Sequence, residues 1–167
     1  MAITKIQSES LNLSDNYDFT GTVTGAGESN KPAFFASVGS SFSVANNTLT
    51  KVQFSNEIID SDSCYDPTTN YRFTPNVAGK YYIFLQGRFE TATDFIYLEY
   101  IIRKNNSSNI SANNHANIHF DTISLSCLVD MNGSTDYIEA FCFQESGSSV
   151  NVTAVDANRF GGYLIYT

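Results

Sequence analysis

The sequence has few positive charges, no tryptophan and no long apolar run. Nine Lys and Arg stand against 17 Asp and Glu, so the net charge of the 167 residues is −8. Because a nucleic-acid binder needs clustered cations to neutralise phosphates, we expect no nucleic-acid partner. The longest apolar stretches, residues 81–85 and 95–98, are far shorter than the roughly 20 residues of a membrane-spanning helix, so we expect no membrane insertion.

Cysteine and histidine are too scarce and too widely spaced to indicate a metal site. Cys64, Cys127 and Cys142 form no C-x-x-C pair, whereas zinc sites use closely spaced Cys and His ligands. His115 and His119 would lie about 13 Å apart on one strand face, too far to share a metal. We therefore expect no metal and no cofactor. The sequence does not decide whether Cys127 and Cys142 form a disulfide, because this bridge requires their strands to be adjacent.

Catalytic motifs are also missing from the sequence. Asp60, Asp62 and Asp66 superficially resemble a calcium loop, but the central Gly and the closing Glu are not in place. No Gly-x-Ser-x-Gly or comparable frame surrounds a nucleophile. We therefore expect a protein that is not an enzyme and read the acidic segment as a solvated loop.

What the sequence does contain is typical of β-strands. It has 13 Phe and 10 Tyr on a background rich in Asn, Ser and Thr, and charged residues make up 16%. Aromatic and β-branched residues favour strands, and Asn, Ser and Gly favour the turns between them. A chain of this length buries about 70% of its unfolded surface and needs no metal or disulfide to fold. We predict an all-β protein.

Two parts of the chain differ in composition. Residues 1–30 are rich in Ser, Asn, Thr and Gly, with Leu11 and Leu13 and then Tyr17 and Phe19 alternating at period two. We interpret this segment as an N-terminal arm and linker for attachment or assembly, and residues 31–167 as one domain of closely spaced strands. The start of the chain lacks the apolar core of a secretory signal, so we expect synthesis without export.

Two strands are apolar on both faces. In residues 80–90, Tyr81, Ile83 and Leu85 line one face and Tyr82 and Phe84 the other, and residues 95–103 repeat the pattern with Phe95 and Tyr97 on the second face. A second apolar face must be covered, and another subunit would do this economically. The candidate core and subunit-contact aromatics are Tyr81, Tyr82, Phe84, Phe95, Tyr97, Tyr100, Phe160 and Tyr166.

A family resemblance rests on motifs in the same order. The segment Phe-Thr-Pro-Asn-Val-Ala-Gly-Lys-Tyr-Tyr-Ile-Phe at 73–84 resembles the aromatic motif of the complement-subcomponent globular head domain, the jelly roll shared with tumour necrosis factor. Residues 52–56 with 65–66 are similar to that family's entry strand, and 160–166 to its closing strand. The likeness covers about residues 32–167 and implies a ten-stranded jelly-roll sandwich assembled as a homotrimer.

The sequence departs from the family at one turn. The family has a Gly-Asp pair directly before a Val-rich strand, whereas Ser134 and Thr135 separate Gly133 from Asp136 here. The conformation of this turn is therefore open, although a strand is still expected after it.

The arm has a resemblance of its own. Residues 1–8, 11–13 and 19–27 resemble the opening segment of virion structural proteins of tailed phages, particularly those of marine cyanobacteria. The resemblance implies a fibre-tip, head-fibre or decoration protein that is assembled in the host bacterial cytoplasm, held to other virion proteins by residues 1–30, and located in the virion. The alternative is a free lectin-like module that binds carbohydrate or protein.

The predicted loops give a candidate recognition end. Residues 105–117 are interpreted as a long exposed loop, and a break is expected near Asp121 and Thr122, where the apolar pattern changes phase. If successive strands then run antiparallel, residues 130–135 and 156–158 lie at one end, opposite the arm and the C-terminus. The candidate recognition residues, for a host surface glycan or protein, are Asp130, Asn132, Ser134, Thr135, Asp156 and Asn158.

Overall fold

The computed structural model describes residues 31–89, 94–119, 122–154 and 157–167, so the predicted arm at residues 1–30 lies outside the described residues. The described residues form strands and no helix, so they contain no helix that could cross a membrane. The strands are β1 (Ala33–Ser37), β2 (Phe42–Val44), β3 (Thr50–Lys51), β4 (Asn56–Asp60), β5 (Tyr65–Asp66), β6 (Arg72–Phe73), β7 (Ala78–Arg88), β8 (Asp94–Lys104), β9 (Ser108–His119), β10 (Thr122–Asn132), β11 (Ile138–Glu145), β12 (Val150–Val152) and β13 (Arg159–Tyr166).

These strands form two sheets packed face to face, as expected for a jelly-roll sandwich. Sheet I has the order β10-β7-β13-β1-β4, and sheet II has the order β5-β6-β11-β8-β9, with β3 beside β11. The short strands β2 and β12 pair with each other. All pairings are antiparallel. Five of the thirteen strands have only two or three residues, so the longer strands carry the sandwich.

The core lies between the sheets and follows the predicted alternation of β7. Tyr81, Ile83 and Leu85 point inward and are at most 1% exposed. Aromatic rings fill the space around them: Phe34 stacks on Phe73 with ring centroids 4.4 Å apart. Among the described residues the three cysteines are free. Cys127 lies on sheet I and Cys142 on sheet II, so these two cysteines do not form a disulfide.

The predicted loop at 105–117 is wrong, because most of it is strand β9. Asn105 and Asn106 have φ of 54° and 52°, and Ser107 N donates to Lys104 O at 3.2 Å. These features are typical of a type I′ turn, which joins the two strands of a hairpin. Pairing with β8 along the full length of β9 then overrides the poor strand preference of Asn and Ser.

The expected placement of the 130–135 loop is also wrong. Strand β9 adds one reversal of chain direction, so the loop after β10 lies at the same end as the β8–β9 turn. There Lys104 Nζ lies 2.7 Å from Asp136 Oδ2, and Asn105 Nδ2 donates to Asp136 Oδ1 at 2.9 Å. At this end Leu164 N, near the C-terminus, donates to Pro32 O at 3.1 Å. We call it the arm end, and the opposite end the distal end.

Phe95 lies in the core rather than on the second face of its strand. It is 1% exposed, and its ring centroid is 5.6 Å from that of Phe89. Its neighbour Ile96 points outward and is 57% exposed. On the paired strand β9, Asn117 has φ of 53°, a left-handed conformation that distorts the ladder. Strict alternation therefore fails at the start of β8.

Candidate functional site

The outer face of sheet I carries two adjoining rows of apolar side chains. Residues directly opposite each other in a ladder point to the same face. One row runs through Ile59, Phe35, Gly161 and Phe84, and the next through Tyr163, Tyr82 and Leu128. The six side chains that we call the apolar face are Ile59, Phe35, Phe84, Tyr163, Tyr82 and Leu128.

Much of the apolar face is open to solvent. Leu128 is 66% exposed, Ile59 51% and Tyr163 39%. The ring of Phe84 lies over Gly161, where an added Cβ would come within 2.4 Å of Phe84 Cζ. Gly161 therefore lets the ring lie flat against the sheet. The ring centroids of Tyr82 and Tyr163 are 5.7 Å apart, so the rings form a continuous surface.

Polar rows frame the apolar face on both sides. Towards the distal end, Arg159 and Gln86 lie opposite each other, with Ser124 beside Gln86. Towards the arm end, Lys80 forms an ion pair with Asp130. An apolar centre with a polar rim is the usual anatomy of a protein–protein interface. This face is therefore the best candidate for a contact with another protein chain.

The eight predicted aromatics occupy four environments. Tyr81, Phe95, Tyr100 and Phe160 are buried in the core at 0–1% exposure, and Tyr82 and Phe84 lie on the apolar face. Tyr97 lies on the outer face of sheet II, with its ring centroid 5.9 Å from that of Phe143. Tyr166 is 50% exposed at the end of β13.

Four members of the apolar face escaped sequence reasoning: Phe35, Ile59, Leu128 and Tyr163. Phe35, Leu128 and Tyr163 lie on strands whose other side carries the core, and Ile59 lies on the exposed strand β4, so alternation alone does not single them out. The register across β4, β1, β13, β7 and β10 brings them together. That register depends on pairings between strands that are distant in the sequence.

In the candidate recognition loop at the arm end, polar groups form hydrogen bonds with one another. Asn132 Oδ1 accepts hydrogen bonds from the backbone N–H groups of Ser134, Thr135 and Asp136 at 2.9–3.0 Å. Hydrogen bonds from Asn105 and from Lys104 hold the pKa of Asp136 below its usual range. The inserted Ser134 and Thr135 thus form a turn closed by Asn132, and their side chains stay exposed.

Asn158 is wrong as a recognition residue, because its side chain is fully buried. Asn158 Oδ1 accepts from Arg88 N at 2.7 Å, while Nδ2 donates to Arg88 O at 3.1 Å and to Thr153 O at 2.7 Å. The amide ties the end of β7 to the distal loop and has no surface for a partner. Asp156, the other predicted residue of this loop, lies outside the described residues.

The aspartates of the acidic loop hold backbone turns. Asp60 accepts from Cys64 N and Tyr65 N, both at 2.9 Å. The Asp66 carboxylate accepts from the backbone N–H groups of residues 68–70, and these hydrogen bonds hold its pKa well below the usual range. No cluster of three or more His, Cys, Asp or Glu in the described ranges is arranged to hold a metal ion.

The cysteine thiols have raised pKa values, whereas an activated nucleophile has a lowered one. Burial raises the pKa of Cys127 to about 11, and it also raises the pKa of Cys64 and Cys142. Catalytic cysteines instead have a lowered pKa, which keeps the reactive thiolate populated at neutral pH. These thiols act as small apolar side chains.

Comparison with solved structures shows the same fold. The globular domain of zebrafish complement 1qA protein superposes with a TM-score of 0.59 and 18% identity over 81% of this chain and 98% of that one. Murine APRIL gives a TM-score of 0.60 and 9% identity over 80% and 98%, and Eiger TNF from S. frugiperda gives 0.57 and 7% over 80% and 90%. No family model and no curated protein matches the sequence. The chain therefore has the jelly-roll fold of the complement 1q globular domain and the TNF proteins.

Proposed function

We propose that the protein is a non-enzymatic binding module that assembles as a homotrimer through the apolar face. The observation that carries the proposal is the pair of uncharged rows on the outer face of sheet I, with Leu128, Ile59 and Tyr163 exposed to solvent. Exposed contiguous apolar surface of this kind is unfavourable on an isolated chain. The trimer is the assembly that the sequence resemblance implies, and its closed symmetry buries one such face per subunit.

Leu128→Asp is expected to weaken self-association strongly. The side chain is 66% exposed in the single chain, so the substitution leaves the monomer fold intact. A buried unpaired carboxylate in the assembled face would be costly. In sedimentation velocity we expect the variant to sediment as a monomer at concentrations where the wild type is assembled.

Leu49→Asp is the matched control for this experiment. Leu49 is 42% exposed and lies between β2 and β3, away from the apolar face. The Leu49→Asp substitution should leave assembly unchanged. Equal sedimentation of the Leu128→Asp variant and the wild type would contradict the proposed interface.

The biological setting that we propose is a phage particle, with the domain as a fibre-tip, head-fibre or decoration protein assembled in the host cytoplasm. The support is the resemblance of residues 1–30 to virion proteins of tailed phages. Residue 31 begins the described domain at the arm end, so an attached arm would leave the distal end free. A host surface glycan or protein is the proposed partner of the exposed surfaces.

Deleting residues 1–30 separates the virion role from the lectin-like alternative. A virion component without its attachment arm should still fold and trimerise but should no longer enter particles. A free module should keep both its assembly and its ligand binding, because these would reside in residues 31–167. Particle incorporation, measured by immunoblotting of purified virions, distinguishes the two, and normal incorporation of the shortened chain would contradict attachment by the arm.

A further inference from the structure

The outer face of sheet II brings two arginines to either side of one buried glutamate. Arg72 on β6 and Arg103 on β8 both lie directly opposite Glu139 on β11, so all three side chains point to the same face. Glu139 is 2% exposed, and Lys51 forms an ion pair with its Oε1. Three of the chain's nine Lys and Arg therefore meet at this place.

The nearby carboxylates are fewer than the cations. Lys51 pairs with Glu139 Oε1, whereas Glu139 Oε2 is buried without a hydrogen-bond partner. Asp66, which lies opposite Arg72, turns its oxygens to the backbone of residues 68–70. In the part of the chain that the structure describes, no carboxylate forms an ion pair with Arg72 or Arg103. Lys51, Arg72 and Arg103 therefore surround the single Glu139 carboxylate, and this excess of positive charge can attract an external anion in an otherwise acidic protein.

Aromatic rings hold both guanidinium groups in place. The Arg72 guanidinium lies 4.4 Å from the ring centroid of Tyr137, and that of Arg103 lies 5.1 Å from the ring centroid of Phe141. Stacking on a ring leaves the N–H edge of a guanidinium free, and that edge matches the oxygens of a carboxylate or sulfate. Arg103 Nη1 donates to Asn106 Oδ1 at 3.4 Å. Arg103 Nε and Glu139 Oε2 are both buried without a hydrogen-bond partner, so the polar groups of this cluster are not fully satisfied within the chain.

The same face continues as a strip of aromatic rings. Phe143 lies two residues along β11 from Phe141, and its ring centroid is 5.9 Å from that of Tyr97 on β8. Glu99 lies opposite Phe143 and Glu145 opposite Tyr97, so this part of the strip carries negative charge. A ligand along the strip would need its anionic group near the arginines and an uncharged ring over Phe143 and Tyr97.

We propose that this face of sheet II binds an acidic saccharide, with a carboxylate or sulfate between Arg72 and Arg103 and the neighbouring sugar ring on Phe143 and Tyr97. A saccharide needs only ring faces and polar side chains. An extended peptide would instead gain most from a free strand edge, whereas the backbones of β11 and β8 are paired within the sheet. The site lies on the opposite sheet from the apolar face and does not require self-association.

The test compares binding of the full chain to four immobilised polymers at low salt. These are dextran sulfate, polygalacturonate, uncharged dextran and poly-glutamate. We expect binding to at least one of the two acidic polysaccharides, and the one that binds identifies sulfate or carboxylate as the anion. Arg72→Gln and Arg103→Gln should each weaken this binding about tenfold, because each removes a charge-assisted fork.

Lys31→Gln is the matched control, because it removes an exposed cation at the arm end. It should change binding less than twofold, and sedimentation of all three variants should match the wild type, which keeps this test separate from that of the trimer. Failure to bind either acidic polysaccharide would overturn the proposal. So would equal weakening by Lys31→Gln, or tighter arginine-dependent binding of poly-glutamate.

Discussion

Replacing Gly87 by alanine is expected to destabilise the domain by about 3 kcal/mol or more, at the upper end of overpacking substitutions. A Cβ at Gly87 would lie 2.1–2.6 Å from the ring atoms of Tyr100. That ring is fully buried, and its centroid is 5.7 Å from that of Phe89, two residues beyond Gly87 in the chain. Because the ring is packed in the core, it cannot move aside freely, and we expect the strands to separate locally. Urea denaturation followed by circular dichroism measures the loss.

A second substitution shows whether the Tyr100 ring is the cause. In a Tyr100→Leu background the smaller side chain removes the clash, so adding Gly87→Ala should then cost less than about 1 kcal/mol. The double-mutant cycle would therefore show strong coupling between the two positions. Equal costs of Gly87→Ala in both backgrounds would mean that the glycine is required for another reason.

Tyr81→Ala is expected to cost about 3–5 kcal/mol at every protein concentration, because its loss opens a cavity in the core of each chain. Tyr81 is 0% exposed, its hydroxyl donates to Val77 O at 2.8 Å, and its ring centroid is 5.7 Å from that of Phe73. The same burial raises the pKa of Tyr81 to about 12. Urea denaturation at two protein concentrations measures the effect.

Phe84→Ala is the partner variant that separates core from interface. Its ring is half-buried on the apolar face over Gly161. We expect a cost of about 1–2 kcal/mol at low protein concentration and a larger cost at high concentration, where assembly stabilises the folded wild type. Two variants with equal losses and no dependence on concentration would contradict the division between core and interface.

Alternation along a single strand was enough to predict the core and part of the candidate site. Tyr81, Ile83 and Leu85 point inward and Tyr82 and Phe84 outward, because a strand has a side-chain period of two. The same rule fails for Phe95, where a left-handed residue on the paired strand distorts the ladder. Sequence periodicity cannot report a distortion that a neighbouring strand imposes.

The misread segment at 105–117 shows how much depends on one turn. Its Asn and Ser composition favours a loop, yet Asn105 and Asn106 are also residues that accept the left-handed conformations of a type I′ turn. Read as a turn, these two residues predict a strand after them, which is β9. The added strand then predicts the 130–135 loop at the arm end of the domain instead of the opposite end. The two candidate recognition loops lie at opposite ends for this reason.

The members of the apolar face can be identified only when the pairing register of the strands in sheet I is known. Phe35, Tyr163 and Leu128 come from strands that are far apart in the sequence, and pairing brings them beside Tyr82 and Phe84. The face they form explains the aromatic excess of the sequence better than the core alone, since four of its six side chains are rings that lie outside the core.

Sedimentation equilibrium of the wild-type chain at micromolar concentration tests the trimer most directly. The account predicts a single species with three times the 18.4 kDa mass of the chain. A stable species with the mass of one chain, over the whole accessible range of concentration, would contradict it.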